Sequence, residues 1–493
     1  MNTSIVRYTL GHVLKLEGLL MLLPLVISLI YHESNGIYFL IVAAASLVIG
    51  ILLSFRKPKD TVIYLKEGCI ITSLSWIIMS IAGCLPFFLS GSIPDFTNAL
   101  FETVSGFTTT GASILSDIES LDNCMLFWRS FTHWIGGMGV LVFLLAIIPM
   151  GGGSNMNLMR AESPGPSVGK LVPKVRYTAR ILYIIYFGLT VLEIVLLLCG
   201  GLNLFDAVTT GFETAGTGGF STKNDSLMSY SAYAQWVVAI FMILFGVNFN
   251  AYYLILFGDL KKSLTMEEVK HYFLVLLVAV TAIFLNIVNT IGDTWTALRH
   301  SVFQVASIMS TTGFTTADFD TWSQTAKSIL ILLMFTGACA GSTAGGVKMS
   351  RFVVLFKTLG KELNSYIHPK SVKKIKMDGK PIEHEVVRSI NVYFVSFMLI
   401  LAGSVLIISL EGHDLVTNFT SVLACLNNVG PGLSKVGPSQ NFAFFGNFSK
   451  YILMLDMLAG RLELFPLLIL FHPSIWKEFF HKRILIRRKK NIQ

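Results

Sequence analysis

Long apolar runs alternate with short polar interruptions from one end of the chain to the other. A helix of roughly 20 apolar residues matches the hydrocarbon thickness of a bilayer. On that criterion the pattern predicts spans at 12–31, 37–55, 68–90, 124–149, 179–200, 233–257, 269–291, 327–357, 388–410 and 446–471. The first two are joined by a turn at His32-Glu33-Ser34-Asn35-Gly36, and the remaining eight fall into four pairs. Between the members of each pair lies a shorter semi-polar stretch, 95–108 in the first pair, followed by a loop of Thr and Gly. Such a stretch, about 12–15 residues, is too short to cross a bilayer and suits a re-entrant half-helix.

The four loops resemble one another: FTTTGAS (107–113), AGTGGFS (215–221), MSTTGFT (309–315) and NNVGPGL (427–433). Their central glycines, Gly111, Gly219, Gly313 and Gly430, recur roughly every hundred residues, the mark of an internal repeat. The predicted fold is an all-α membrane protein. Two N-terminal spans precede four pseudo-fourfold repeats of span, re-entrant half-helix and span around one pore. The corresponding units are 1–60 for the two first spans, 61–170, 171–265 and 266–380 for repeats one to three, and 381–493 for repeat four with a basic tail.

Composition narrows the function classes. Of 493 residues, 53% are hydrophobic and 14% charged, with mean hydropathy +0.66. Soluble domains carry about 25% charged residues, so the partner of most of this surface is a lipid bilayer. The net charge of +9 does not point to nucleic acid, because the basic residues sit in short loops between spans. Lys170, Lys174, Arg176, Arg180, Lys261, Lys262, Lys357, Lys361, Lys370, Lys373, Lys374, Lys376 and Lys380 mark one side, as does the terminal HKRILIRRKK. The opposite loops carry Asp95, Asp117, Glu119, Asp122, Asp206, Asp293, Asp318, Asp320, Glu411 and Asp414. By the positive-inside rule both termini are cytoplasmic, and Asp318 and Asp320 are expected at an outer mouth. The first apolar run lacks a small-residue cleavage site and is read as a true span. Six cysteines without CxxC spacing predict neither a disulfide framework nor a zinc site. Paired catalytic carboxylates, a nucleophile with its base and HExxH are all missing from the sequence, so an enzyme is not expected.

Non-helical backbone at membrane depth is tolerated only where protein buries it or it lines a watery path. Four such loops on one axis present rings of carbonyls that can replace the hydration shell of K+. The candidate ion ligands are Thr109, Thr110 and Gly111; Thr217, Gly218 and Gly219; Thr311, Thr312 and Gly313; and Asn428, Val429 and Gly430. The glycines permit positive φ, and the Thr hydroxyls are further candidate ligands, which the fourth loop lacks. Oxygen-only ligation without a carboxylate ring suits a monovalent cation.

These loops, with FTHWIGGMGV (131–140), RAESPGP (160–166), GACAGSTAGGVKMSR (337–351) and LAGRLELFP (458–466), resemble the Trk/Ktr/HKT superfamily of K+ uptake proteins, and its TrkH/TrkG branch most. The resemblance implies a homodimer in the bacterial inner membrane and a cytosolic nucleotide-binding ring of the TrkA kind. It also implies K+ as the transported ion, with no cofactor in this chain. Glycine at all four filter positions implies K+ selectivity; a Ktr-like K+/Na+ carrier and a K+/H+ symporter are the alternatives.

The stretch Gly337 to Gly346 interrupts the sixth paired span with Gly337, Gly341, Ser342, Thr343, Gly345 and Gly346. A small-residue packing face, a phosphate loop and a gating loop compete there; the Walker pattern fails at Val347-Lys348-Met349, and the resemblance favours a gate. Arg461 either pairs with Asp456 or Glu463, or places its charge under the filter as the resemblance implies. Lys348 is a second basic gate candidate or snorkels to the interface. Asn248 and Asn250 line a cavity or bridge helices, Glu193 is expected to pair within the protein, and His133 to be packed or interfacial.

Overall fold

The computed structural model describes residues 2–60, 62–139, 175–256, 258–370, 374–475 and 477. Residues 140–149 of the expected fourth span, the RAESPGP motif, Lys170, Lys174, Lys373, the side chain of Arg176 and the terminal HKRILIRRKK lie outside the described residues.

The N-terminal pair is α1 (Thr3–Leu20) with α2 (Leu22–Tyr31), followed by α3 (Gly36–Ser54). The first span starts earlier than its apolar run predicts, because Asn2 caps α1 through the Ile5 amide at 3.3 Å. Its Arg7, His12, Lys15 and Glu17 then ride within one 29-residue span, Thr3–Tyr31. The turn is functional in folding: Glu33 accepts from the amides of Asn123 and Cys124 at 2.7 and 2.9 Å, capping the helix that starts there.

The first repeat contains α4 (Leu65–Leu89), the half-helix α5 (Phe96–Phe107) and α6 (Asn123–Gly137). The second contains α7 (Val175–Cys199), the half-helix α8 (Leu204–Gly216), α9 (Ala232–Phe245) and α10 (Phe249–Leu256). A short α11 (Leu260–Thr265) leads to α12 (Glu267–Ile291), the half-helix α13 (Thr294–Met309), α14 (Gln324–Thr336) and α15 (Met349–Ile367). The hairpin β1 (Lys376–Met377) and β2 (Lys380–Pro381) precedes α16 (His384–Ile408), the half-helix α17 (Leu415–Leu426), α18 (Asn447–Arg461) and α19 (Phe465–Leu470).

Each half-helix begins at a polar cap. Asp95, Asn203, Asp293 and Asp414 accept from the amides of Asn98, Asp206, Thr296 and Thr417 at 2.8 to 2.9 Å. At Asp414 the Thr417 hydroxyl and amide also hold the carboxyl below its ordinary range. At 1.5 Å per residue a 12-residue helix reaches about 18 Å, little more than half the hydrocarbon core.

The units close on themselves. α6 packs on α8, α9 on α13, α14 on α17, and α18 on α5, with α19 against α4. The second span of each repeat thus buttresses the half-helix of the next. Among the described residues six helical segments are long and apolar enough to cross a membrane, or seven if the bent α9–α10 pair counts as one. Their outer faces keep large apolar side chains exposed, Leu285, Leu399 and Leu406 among them, which water would not tolerate over so wide an area. The N-terminal hairpin explains one asymmetry: 72% of α4's apolar window is buried, against 28%, 22% and 28% for α7, α12 and α16. Among the described residues α1 and α3 pack directly on α4.

Two expected continuous spans are broken. α9 and α10 meet at 91° across Gly246-Val247-Asn248, and Asn248 accepts from the Asn250 amide at 2.9 Å to restart the helix. α18 stops at Arg461, where Glu463 and Leu464 take φ of 59° and 63°. Apolar length predicted unbroken helices there, but tertiary contacts to the loop after α14 decide otherwise.

α1 and α3 cross backbone to backbone: a β-carbon on Gly50 would stand 2.7 Å from the Gly11 carbonyl oxygen. Such small-residue crossings let membrane helices approach. Gly50→Leu is expected to separate the pair and to destabilise the fold by about 1–3 kcal/mol, the usual cost of overpacking. A thermal melt in detergent checks this as a lowered midpoint.

Candidate functional site

The four half-helices end in one motif. Thr109, Thr217, Thr311 and Asn428 each take a left-handed conformation, with φ of 54°, 54°, 59° and 55°. Two residues on, Gly111, Gly219, Gly313 and Gly430 do so again, at 79°, 76°, 84° and 95°. The amides of Thr110, Gly218, Thr312 and Val429 return to the carbonyls of Ser105, Glu213, Ser307 and Ala424 at 2.8 to 3.0 Å. This helix termination consumes the last turn's carbonyls and delivers the following residues in a fixed, non-helical course. The fourth loop, divergent in sequence, has the same backbone, because Asn is the residue after Gly that best tolerates positive φ.

The loops meet in a closed ring. A β-carbon on Gly111 would collide with the Gly218 carbonyl oxygen, one on Gly219 with that of Thr312, one on Gly313 with that of Val429, and one on Gly430 with that of Thr110. Each loop therefore lays a carbonyl against the glycine of its neighbour, in chain order and back to the start. All twelve candidate ion ligands lie in the four loops of this ring, and all twelve are buried or half-buried. The negative ends of four helix dipoles, about half an elementary charge each, feed into it.

The hydroxyls largely serve the loops themselves. Thr110 Oγ1 contacts Thr108 Oγ1 at 2.8 Å and accepts from Asn428 Nδ2 at 3.0 Å. Thr312 Oγ1 lies 2.7 Å from Ser310 Oγ, and Thr217 donates to its neighbour Gly216 O at 2.6 Å. Thr109 Oγ1 is buried with no hydrogen-bond partner among the described residues. Asn428 replaces the missing Thr as a brace, joining the fourth loop to the first and to Met457 O.

Buried side chains behind the ring hold the outgoing strands, and these were not anticipated. Glu102 accepts from Arg129 Nε at 2.7 Å and from the Ile114 amide at 3.0 Å. Arg129 also donates to Ser221 O at 2.8 Å and lies 3.6 Å over the Phe220 ring, so it ties repeat one to repeat two. Glu213 pairs with His133 and accepts from the Phe220 amide at 3.0 Å. His133, stacked on Phe220 at 4.2 Å, is packed, not interfacial. The sequence held two signals: the triplet Phe-Glu-Thr recurs at 101–103 and 212–214, and Arg129 and His133 share one helix face four residues apart. Glu193, expected to pair within the protein, is buried on α7 beside Thr214 of the half-helix α8.

Gly337 to Lys348 forms a loop beneath the ring. The Gly345 amide donates to Thr311 Oγ1 at 2.7 Å, and a β-carbon there would stand 2.5 Å from Asn427 O. Arg461 Nη1 donates to Thr343 O at 2.9 Å, while Nη2 donates to Gly137 O at 2.7 Å and to Gly136 O. The guanidinium therefore straps the loop to the end of α6 on the far side. Its expected acidic alternatives are engaged elsewhere: Glu463 pairs with Arg351, and Asp456 accepts from Ser404 at 2.8 Å. Lys348 is buried and donates to Ala344 O instead of snorkelling.

Glu268, also unanticipated, grips both ends of the loop, accepting from the Ala340 and Ser350 amides at 2.6 and 3.1 Å. Asn248 donates to the same carboxylate at 3.4 Å and so bridges helices. The Phe249 amide, freed by the break after α9, donates to Gly341 O at 3.0 Å. A packing face remains part of the description, but the loop's small residues here serve close approach to the ring.

On the other side the four glycines open into one cavity of about 130 Å³. Residues after each glycine wall it, whereas the Gly337–Lys348 loop touches residues before them, so loop and cavity lie on opposite faces of the ring. Arg129 and Lys223 reach the cavity wall, and no carboxylate does among the described residues. Asp318 and Asp320, expected at this mouth, are not among the residues lining the cavity: Asp318 accepts from the Asp320 amide at 3.0 Å, and Asp320 accepts from the Ser434 amide at 3.1 Å and pairs with Lys327 at 3.6 Å.

Known proteins are similar to this chain over nearly its whole length. The TrkH family, described as "Cation transport protein", matches residues 36–478. The Trk system potassium uptake protein TrkH of Salmonella typhimurium is 37% identical over 467 residues, covering 93% of this chain and 96% of that protein. TrkG of Escherichia coli, likewise a Trk system potassium uptake protein, is 33% identical over 486 residues, 97% of this chain and 100% of its own. The crystal structure of the potassium transporter TrkH from Vibrio parahaemolyticus superposes with a TM-score of 0.87 at 30% identity, covering 97% and 100% of the two chains. The chain belongs to the TrkH family of cation transport proteins.

Proposed function

We propose that this chain is the membrane-embedded, pore-forming subunit of a potassium uptake system. The observation that carries the reading is the closed ring of four loops, each setting a backbone carbonyl against its neighbour's glycine, with an open cavity on one face and a buried loop on the other.

In this reading Thr109–Gly111, Thr217–Gly219, Thr311–Gly313 and Asn428–Gly430 are the filter. Their carbonyls replace the ion's hydration shell, and the four half-helix C-termini favour a cation there. The ion is the transported substrate. The Thr hydroxyls engaged within the loops set the loops' shape, and carbonyl oxygens do the coordinating. Arg129 and Glu102, with His133 and Glu213, fix the ring's radius from behind. The two N-terminal spans and four repeats, with limits near 60, 170, 265 and 380, are the units of assembly.

The gate is the Gly337–Gly346 loop with Lys348 and Arg461. Thr343, Gly345 and their neighbours occupy the space under the filter, and the Arg461 guanidinium fastens the loop across it. A cation leaving the filter meets both this obstruction and a fixed positive charge. Opening requires the loop to exchange its contacts with Arg461, Thr311 and Glu268 for another set. A homodimer in the inner membrane, both termini cytoplasmic, and a cytosolic nucleotide-binding ring of the TrkA kind complete the proposal. That ring supplies the differential binding energy that any ligand-driven gate needs.

Two outcomes follow. Gly111→Ser puts a side chain where the Gly218 carbonyl lies, displacing a filter oxygen. The preference for Rb+ over Na+ in proteoliposome uptake is expected to fall by about tenfold, equivalent to ~1.4 kcal/mol; unchanged preference would refute the filter assignment. Arg461→Ala removes the strap and the charge, and basal K+ flux without any partner is expected to rise several-fold. A fall in flux in correctly folded protein would remove Arg461 from the gate.

A further inference from the structure

The helix leaving the candidate gate loop carries a basic pocket that the conduction reading does not use. Lys357, Lys361 and Asn364 recur on one face of α15, and with Lys374, Ile375 and Lys376 of the following segment they line an open depression of about 360 Å³. Lys357 is committed: it pairs with Glu267 and donates to Lys376 O at 2.7 Å. Asp378, the nearby acid of the hairpin, accepts from the Glu267 amide at 2.7 Å. Lys361, Lys374 and Lys376 have no acidic partner within salt-bridge distance among the described residues, and no carboxylate lines the pocket. Three lysines without an acidic partner on one small pocket repel one another, and an anion there would relieve that repulsion.

The neighbouring face of α15 is apolar and exposed: Phe356, Leu359, Leu363, Tyr366 and Ile367 are 56% to 84% accessible. At about 100° per residue, this stripe lies beside the lysine face, and Gly360 falls between the two. A β-carbon on Gly360 would meet nothing within 4 Å. The glycine therefore leaves an unobstructed passage from the basic pocket to the apolar stripe. A ligand filling both needs an anionic head and hydrocarbon tails joined at a short distance.

We propose that this face of α15 binds an anionic phospholipid. The phosphate sits among Lys361, Lys374 and Lys376, and the acyl chains cross Gly360 onto Phe356, Leu359 and Leu363. Lysines at a membrane surface attract acidic lipid in this way, and a lining drawn from two chain segments adds a defined position. The site is on the helix whose first amide, Met349 N, bonds to Ala338 O of the loop at 2.9 Å. Occupancy here thus bears on the segment that anchors the loop, although the binding itself does not depend on the pore reading.

The test uses the full-length protein in detergent, equilibrated with phosphatidylglycerol or phosphatidylcholine, with retained lipid counted by native mass spectrometry. Wild type is expected to retain phosphatidylglycerol preferentially. In Lys361→Gln/Lys374→Gln/Lys376→Gln, apparent affinity for phosphatidylglycerol is expected to fall by about fivefold per lysine removed. The corresponding triple Arg variant is expected to keep it. Gly360→Leu, which leaves every charge in place, is expected to weaken retention by blocking the passage. Equal retention of the two lipids by wild type, or undiminished phosphatidylglycerol on the triple Gln variant, overturns the proposal. So does displacement of the lipid by equimolar glycerol phosphate, which would make the pocket a soluble-anion site. A triple Gln variant that changes oligomeric state while its lipid occupancy holds assigns the face to a second copy, and also overturns it.

Discussion

A carbonyl oxygen of one loop stands where the next loop's glycine would carry a β-carbon. That single steric relation, repeated four times, lets four separate loops share one axis. Any side chain at those glycines would push the neighbouring carbonyl outward and open the ring at that seam. Positive φ at the same residues adds a second demand that glycine alone meets without strain. The ring can form only if each half-helix ends at the correct depth, and much of the surrounding structure serves that requirement.

The depth is set from both ends of each half-helix. Polar caps start the helices at Asp95, Asn203, Asp293 and Asp414, and a shared left-handed turn ends them. Behind the ring, Glu102 and Glu213 hold the outgoing strands by their amides while Arg129 and His133 neutralise or hydrogen-bond them. Buried ionic groups of this kind contribute little net stability, but removing one partner strands a charge in the interior. Their contribution is to position: they give the Ile114 and Phe220 amides buried acceptors and so fix the course of the chain leaving the first two loops.

The other face of the ring is built on broken helices. The second spans of repeats two, three and four each end short of a full crossing, and the Gly337–Lys348 loop bonds to backbone freed at the α9–α10 bend and to the side chain that ends α18. Phe249 N, released by the bend after α9, bonds to Gly341 O, and Arg461, at the end of α18, bonds to Thr343 O. Backbone left unpaired in a membrane must be satisfied by protein, so the breaks and the loop depend on one another. Glu268 belongs to the same logic, with one carboxylate closing two ends of the loop that no helix closes.

The sequence by itself determined the class of protein, the repeat and the loops. Apolar runs of bilayer length, short half-helices and four Thr/Gly loops are local properties, fixed by hydrophobicity and by the residues that permit positive φ. They single out Gly111, Gly219, Gly313 and Gly430, which the fold brings together in one ring, and the interruption that begins at Gly337. The tertiary structure alone decided what those residues touch. Apolar length could not reveal the 91° bend at Gly246 or the stop at Arg461, because both are held by contacts from another repeat. Charge along the chain suggested acids at the mouth, yet Asp320 is consumed by Ser434 and Lys327, partners that folding brings together. Glu102, Arg129, Glu213 and Glu268 went unread for the same reason: a buried charge is expensive, and only the fold shows what makes it tolerable.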